Sequence, residues 1–205
     1  MFLKGGSLVL DTKPLCDFKE DSCLVVVDVQ NDFCPGGALG VKDGDKIVPV
    51  LNSFIDEFNK RGLPIVYTRD WHPIDHISFA EKGGIWPPHC IQETQGVKFC
   101  HGLKIQGAVC SKGFESDKEA YSGFDGKMGG PCGLSLDRWL KERKIGRLYV
   151  GGLATDYCVK ATVIDGLKSD YEVYVIKDGC RAVDVNLGDG EKSVSEMVNA
   201  GAVII

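Results

Sequence analysis

The chain has 205 residues, of which 43% are hydrophobic and 26% charged, a composition that fits one soluble globular domain and excludes collagen-like, disordered and disulfide-knot proteins. Its net charge is −5, and its 24 lysine and arginine residues are scattered, so we expect no nucleic-acid partner. No apolar run approaches the roughly 20 residues needed to cross a bilayer, so we expect no membrane partner.

Short apolar runs that predict β-strands alternate with segments of helical periodicity along the chain. The first run is hydrophobic throughout, as in a strand that is covered on both faces of a parallel sheet. The alternation predicts an α/β protein, a three-layer α/β/α domain with a six-stranded, mostly parallel sheet. In chain order, the predicted strands are residues 23–29, 63–67, 108–110, 147–151, 171–176 and 202–205, and the predicted helices are 47–58, 136–140, 159–167 and 194–198.

The remaining segments divide into an extension and a functional loop region. Residues 1–21 are predicted to be an N-terminal extension, and residues 22–205 are predicted to be the folded domain. Residues 68–107 lack clear periodicity but contain all four histidines, which is typical of a functional loop rather than a linker.

Nine cysteines is a high count, and no two of them have the Cys-x-x-Cys spacing of zinc ribbons or redox motifs. Most free cysteines are small buried hydrophobic residues in a reducing compartment, so we expect a cytoplasmic protein. The N-terminal sequence also lacks the long apolar core of a secretory signal.

Polar residues follow four predicted strands at their carboxyl ends, which is where open parallel sheets bind ligands. Asp28 follows the first strand, Lys112 follows the third, and Cys158 comes after the fourth, near the start of a helix. A helix N-terminus stabilises a thiolate, so Cys158 is a candidate nucleophile. Asp28 and Lys112 could then take a proton from the thiol and return it to a leaving amine. A structural ion pair and a buried structural cysteine remain the alternatives.

Asp70 and His72 follow the second strand, and His89 comes seventeen residues later. One carboxylate and two imidazoles suit a divalent metal ion such as zinc, iron or manganese. His76 could pair with His72 on a helical turn, but for His76 and His101 we favour a surface or loop-packing role.

Six long motifs resemble the nicotinamidases within the isochorismatase-like cysteine hydrolases, and they occur in the order of that family. Together they extend from about residue 22 to the C-terminus. They are VVVDVQNDFCPGGALGV (25–41), YTRDWHPIDHISFA (67–80), WPPHCIQETQG (86–96), KGFESDKEAYSGF (112–124), GGLATDYCVKATVIDG (151–166) and IKDGCRAV (176–183).

The resemblance implies an isochorismatase-like (Rossmann-like) fold and hydrolysis of nicotinamide to nicotinate and ammonia in NAD salvage. It also implies that pyrazinamide is cleaved and that one divalent metal ion is bound, with zinc favoured over iron or manganese. The implied roles are a catalytic triad of Asp28, Lys112 and Cys158, and metal ligands Asp70, His72 and His89, with Ser78 as a possible further ligand and Glu81 as a weaker candidate.

The resemblance further implies an oxyanion hole and a small aromatic pocket. The N–H groups of Ala154 and Cys158 would hold the oxyanion, with a cis peptide bond between Leu153 and Ala154. The pocket would be walled by Phe33, Leu39, Trp86 and Tyr121. A homo-oligomer is possible.

Three other functions remain as alternatives. An isochorismate hydrolase needs neither the cysteine nor the metal ligands, and a metal-free small-amide or carbamoyl hydrolase would keep only the cysteine. A ligand-binding protein without activity would have a broken triad. The presence of all the triad and metal positions favours the nicotinamidases.

Overall fold

A computed structural model describes residues 18–205 and shows alternating strands and helices, which confirms the predicted α/β class. Within residues 18–205 there are four α-helices, which are α1 (Val48–Lys60), α2 (Leu136–Glu142), α3 (Lys160–Lys168) and α4 (Asp189–Asn199). The same residues form seven strands, which are β1 (Ser22–Val27), β2 (Ile65–Asp70), β3 (Ala108–Lys112), β4 (Lys127–Met128), β5 (Arg147–Leu153), β6 (Glu172–Arg181) and β7 (Val203–Ile204).

The strands form one sheet in the order β4-β3-β2-β1-β5-β6-β7, with every pair parallel except β3 and β4. The predicted count of six strands was therefore one too few. The missing strand, β4, has only two residues and lies in a glycine-rich segment, so it has no periodicity that a sequence pattern could reveal. The chain builds the sheet outwards from β1 in one direction and from β5 in the other, so the strand order reverses between these two strands.

The hydrophobic core lies on both faces of the sheet, which confirms the three-layer arrangement. All six residues of β1 are buried, and the five side chains from Cys23 to Val27 alternate between the two core clusters. On one face α1 contributes Leu51, Phe54, Ile55 and Phe58, with Pro49 in its first turn as its fixed φ permits. The other face is covered by residues of α2, α3 and α4.

The predicted extension, residues 1–21, lies outside the described residues except for its last four. Phe18 is buried, and its ring contacts the rings of Phe54, Phe58 and Tyr149. The packed domain therefore includes Phe18 of the predicted extension. No helix among residues 18–205 is both long and apolar enough to span a membrane.

Candidate active site

The carboxyl ends of the central strands bring together the residues that the sequence singled out. Asp28 directly follows β1, Asp70 ends β2, Lys112 ends β3 and Cys158 lies in the turn after β5. All four side chains are buried. Because β1 and β5 flank the point where strand order reverses, the site occupies the position at which open α/β sheets bind ligands.

The Lys112 ammonium is the centre of this group and is completely buried. Its Nζ lies 2.9 Å from Asp28 Oδ2 and 3.4 Å from Cys158 Sγ, and it also donates to Asp70 Oδ1. A fourth contact is a 3.0 Å hydrogen bond to the Ala120 carbonyl. Burial acts to lower the pKa of Lys112, but the Asp28 and Asp70 carboxylates raise it well above its ordinary value. The group is therefore a charged ammonium that holds two carboxylates beside a thiol.

The Asp28 carboxylate has one satisfied oxygen and one oxygen available to accept a proton. Oδ1 accepts a 2.6 Å hydrogen bond from the Thr68 hydroxyl. Oδ2 is paired with the charge of Lys112 at 2.9 Å and has no further hydrogen-bond donor among residues 18–205. A carboxylate oxygen of Asp28 lies within 4.8 Å of Cys158 Sγ. Burial raises the pKa of Asp28 above its ordinary value even though Lys112 opposes the shift, so this carboxylate is a stronger base than an exposed one.

Cys158 lies in a single π-helical turn, Thr155–Val159, that precedes α3. The Val159 N–H donates to the Ala154 carbonyl at 3.1 Å, and the peptide bond between Leu153 and Ala154 is cis. Burial raises the pKa of the thiol well above its ordinary value, while Lys112 opposes the shift and Asp28 adds to it. A helix N-terminus lowers the pKa of a thiol, but burial acts on Cys158 in the opposite direction. Attack by this thiol requires a neighbouring base.

Asp70, His72 and His89 form a buried group whose donor atoms all lie within 4.8 Å of one another. His72 Nδ1–H donates to the Gly113 carbonyl and His89 Nδ1–H donates to the Pro87 carbonyl, both at 2.8 Å. These bonds leave each Nε2 as a free acceptor, as metal-binding histidines require. Asp70 Oδ2 lies 3.7 Å from His72 Nε2. One carboxylate oxygen and two imidazole nitrogens therefore fit a zinc, iron or manganese ion.

The structure separates the two candidates for a further ligand. Ser78 is buried, and its hydroxyl donates at 2.7 Å to Nδ1 of His76, whose Nε2–H donates to the Lys118 carbonyl at 3.1 Å. The His76 ring packs 4.1 Å from the His72 ring in a turn without helical structure, so His76 is a buried loop-packing residue. Glu81 is exposed on a short turn and does not join the three-donor group among the described residues, whereas the buried Ser78 hydroxyl is engaged by His76.

A small cavity beside Cys158 is lined by all four predicted pocket residues, Phe33, Leu39, Trp86 and Tyr121. Trp86 Nε1–H donates to the Tyr121 hydroxyl at 3.0 Å, so the two rings hold each other in place. Asp70, His89, Ala154 and Cys158 complete the polar end of the cavity. The cavity therefore presents a thiol, a candidate metal site and flat aromatic walls to the same small ligand.

Several residues of the site were not predicted. Tyr157 and Val183 also line the cavity, and the Tyr157 ring lies 4.9 Å from the Trp86 ring. Gln30 Nε2–H donates to the Asp70 carbonyl at 2.9 Å while Oε1 accepts from the Asp70 N–H at 2.8 Å, which fixes the backbone of a metal-ligand candidate. Gln30 follows a strand end in the sequence, which was an available signal. Val183 ends the motif IKDGCRAV, but its place in the cavity depends on the path of a loop, which the motif does not reveal.

Comparisons with known proteins agree with this arrangement. The family model described as the isochorismatase domain matches residues 22–205. The nicotinamidase of Escherichia coli K12 is 42% identical over 199 residues, covering 88% of this chain and 92% of that protein. The crystal structure of the pyrazinamidase of Pyrococcus horikoshii in complex with zinc is 45% identical, with a TM-score of 0.82 over 90% of this chain and 98% of that one. PnC1 from L. infantum in complex with nicotinate is 33% identical, with a TM-score of 0.81 over 93% and 96% of the two chains. The chain thus belongs to the isochorismatase family.

Proposed function

We propose that the protein is a nicotinamidase, which hydrolyses nicotinamide to nicotinate and ammonia through a cysteine acyl-enzyme. The single observation that carries this proposal is the contact of one buried lysine with Asp28 and Cys158 at the polar end of an aromatic cavity. Relatives called nicotinamidase, at 30–42% identity, support the substrate. Pyrazinamide, which has a similar ring and the same carboxamide, is proposed as a second substrate.

In the first half of the reaction, Asp28 takes the proton from the Cys158 thiol as the sulfur attacks the amide carbon. The N–H groups of Ala154 and Cys158 hold the developing oxyanion, where removal of one donor typically costs about 2.7–4 kcal/mol of barrier stabilisation. Asp28 then gives its proton to the departing nitrogen, so ammonia leaves and a thioester remains. Lys112 keeps Asp28 in place and stabilises the thiolate electrostatically.

In the second half, a water molecule attacks the thioester carbon while Asp28 takes a proton from that water. The same proton returns to the sulfur when the carbon–sulfur bond breaks, which restores the thiol. The carboxylic acid that forms loses the second proton of the water to solvent and leaves as nicotinate. Phe33, Trp86 and Tyr121 bind the ring and exclude bulk water from the cavity.

Asp70, His72 and His89 would hold one divalent ion, for which we favour zinc over iron or manganese. Such an ion would act as a Lewis acid beside the cavity, where it would bind and polarise a ligand atom that carries a lone pair. The chain's own contribution is orientation, because Gly113, Pro87 and Gln30 fix the two imidazoles and the Asp70 backbone.

We further propose that the reaction belongs to NAD salvage in the cytoplasm. The supporting observation is that all eight cysteines among the described residues are free thiols, and seven of them are buried. Free thiols persist in a reducing compartment.

The test is ammonia release from nicotinamide by the purified protein, before and after chelation and after adding zinc, iron or manganese. Metal-dependent release is the expected result. Release that survives complete metal removal would reduce Asp70, His72 and His89 to structural residues. A folded, metal-loaded protein that releases no ammonia from nicotinamide would show that the proposed function is wrong.

Replacement of the nucleophile tests the acyl-enzyme separately. We expect Cys158→Ala to lower the turnover rate by several orders of magnitude, because no other thiol lines the cavity among the described residues. Cys132→Ala is the matched control, since Cys132 is exposed and is not among the residues that line the cavity, and it should keep the wild-type rate. A near-normal rate for Cys158→Ala would contradict the covalent mechanism.

A further inference from the structure

One carboxylate outside the catalytic group contacts the peptide bond that follows a metal-ligand candidate. Asp32 is half-buried in the short turn after β1, and its Oδ2 accepts the Cys90 N–H at 2.7 Å. Cys90 directly follows His89 in the sequence. Hydrogen bonds from a backbone N–H to a carboxylate are shorter and stronger than those to a neutral acceptor. Asp32 therefore holds the peptide bond between His89 and Cys90 from a distant part of the chain.

The backbone of Cys90 also connects the two histidines of the candidate metal site. The His72 N–H donates to the Cys90 carbonyl at 3.0 Å, and the Gln92 N–H donates to the His72 carbonyl at 2.9 Å. Because His89 directly precedes Cys90, this one residue is joined to the backbone of both imidazole donors. A shift of Cys90 would therefore move His72 and His89 relative to each other.

The conformation of Cys90 needs contacts from the surrounding structure. Its φ is +46°, in the left-handed region that residues with a side chain rarely adopt. Such a conformation persists where neighbouring groups maintain it. The buried Cys90 side chain packs in the core, and the Asp32 carboxylate accepts the hydrogen bond of the Cys90 N–H. Packing and this hydrogen bond therefore hold the peptide together.

Asp32 is itself fixed by its own backbone and by its second carboxylate oxygen. Its N–H donates to the Gly96 carbonyl at 3.0 Å, and its carbonyl accepts the Leu39 N–H at 2.9 Å. Its Oδ1 accepts the Ala38 N–H at 3.3 Å. A Cβ on Gly96 would lie 2.0 Å from Asp32 Oδ2, so only glycine at position 96 leaves room for the carboxylate where it lies.

We propose that Asp32 is a positioning residue for the metal site, which acts through the Cys90 peptide on His89 and His72. Hydrogen bonds to the imidazole rings orient the two side chains, whereas Asp32 fixes the backbone from which they project. Asp32 is not a member of the three-donor group among the described residues, so it acts without contacting the ion. This inference rests on the metal site of the proposed function and adds the residue that holds two of its ligands in place.

The first test measures zinc affinity by titration with a competing chelator. Asp32→Ala removes both acceptor oxygens, and we expect zinc to bind about 10–100-fold more weakly, as it does when contacts that orient a ligand are lost. Wild-type affinity in Asp32→Ala would overturn the proposal, because packing of Cys90 alone would then hold the peptide.

Gly96→Ala separates the position of the carboxylate from its charge, since Asp32 is retained. The new Cβ displaces the carboxylate from the Cys90 N–H, and we expect a loss of zinc affinity in the same range of about 10–100-fold. Gly146→Ala is the matched control, because its Cβ would lie 2.7 Å from the Asp21 carboxylate at the amino ends of β1 and β5, and it should keep the wild-type affinity. Wild-type affinity in Gly96→Ala would show that only the charge of Asp32 matters and would overturn the positioning role.

Amide hydrogen exchange gives a readout that needs neither metal nor activity. Exchange at Cys90 should accelerate in Asp32→Ala and in Gly96→Ala while the amides of β1 and β2 keep their protection, which also shows that the variants fold. Unchanged exchange at Cys90 in both variants would overturn the attachment.

The wild-type protein separates failure of this inference from failure of the proposed function. If it binds zinc but releases no ammonia from nicotinamide, the proposed function is wrong, while the affinity and exchange measurements still decide the role of Asp32. If it binds no zinc, the metal site and the role of Asp32 are both overturned.

Discussion

The positive charge of Lys112 pairs with both buried carboxylates of the site, those of Asp28 and Asp70. Its side chain has no exposed surface, and Asp28 and Asp70 both contact its ammonium. Burying a charge is costly unless it is paired and hydrogen-bonded, so these three residues stabilise the fold only as a group. The same three residues that support the chemistry of the thiol therefore also support the fold, and removal of one of them lowers the free energy of unfolding.

Replacement of Lys112 by methionine should destabilise the whole protein. Removing one partner of a buried ion pair leaves uncompensated charge, and we expect a loss of about 3–5 kcal/mol in the free energy of unfolding. Lys104→Met removes an exposed lysine that pairs with exposed Asp56, and it should cost less than about 1 kcal/mol. Urea denaturation of both variants measures the difference, and equal midpoints would contradict the dependence of the fold on Lys112.

Gly113 lies where the backbone meets a metal-ligand candidate. Its φ is +62°, and a Cβ at this position would lie 2.4 Å from Cε1 of the His72 ring. We expect Gly113→Ala to displace this ring and to weaken zinc binding about 10–100-fold, as loss of orienting contacts to a ligand does. Gly129→Ala is the matched control because Gly129 has a φ of +72° with open space around it. Zinc titration with a competing chelator compares the two, and similar affinities would contradict this role of Gly113.

At the scale of secondary structure, the predicted helices and strands are those whose apolar residues recur at a regular spacing and are buried in the core. The stripe of apolar residues in α1 faces one core cluster, and the continuous apolar run of β1 is covered on both faces. The π-helical turn at Thr155–Val159 was not predicted, because it is one turn long and its shape depends on the strand before it and the helix after it.

The shortest helix, α2, depends on its N-cap. Ser135 precedes this seven-residue helix, and its Oγ accepts the Arg138 N–H at 3.3 Å. We expect Ser135→Ala to lower the free energy of unfolding by about 1 kcal/mol, the usual value of a lost N-cap. Ser195→Ala changes an exposed serine inside α4 and should stay within about 0.5 kcal/mol of wild type. Denaturation midpoints check both, and a Ser135 variant as stable as the Ser195 variant would show that the cap contributes nothing.

At the scale of the whole molecule, the core holds an unusual number of ionisable thiols. Burial raises the pKa of Cys110 and of Cys180 from 9.0 to about 12, and it raises that of Cys23 as well. The thiol form is therefore favoured by folding at these positions. Cys16 lies outside the described residues.

These thiols predict a loss of stability at alkaline pH. A group whose pKa is raised by folding contributes its full stabilisation below the unfolded pKa and loses it as the pH rises towards the folded pKa, here between pH 9 and about 12. Each such thiol lowers the free energy of unfolding by up to about 1.4 kcal/mol per pH unit in that window.

Urea denaturation under reducing conditions at pH 7.5, 9 and 10 measures this slope. Because tyrosines and lysines also titrate in this range, the test compares the slope of the free energy of unfolding against pH in the wild type with the slope in each variant. Cys110→Ala should show a shallower decline above pH 9, whereas Cys132→Ala should decline as wild type does, because Cys132 is exposed. Identical slopes for all three proteins would contradict the contribution of the buried thiol.

Local sequence patterns were sufficient to predict the α/β class, the four helices and six of the seven strands within residues 18–205, and the set of polar residues at the strand ends. These features follow from local periodicity and from the rule that parallel strands carry ligands at their carboxyl ends. Three further features became visible only in the folded chain, namely that burial raises the pKa of the Cys158 thiol, that Lys112 contacts two carboxylates, and that Val183 reaches the cavity. Each of these depends on desolvation or on contacts between residues far apart in the chain, and neither quantity can be read from a local pattern.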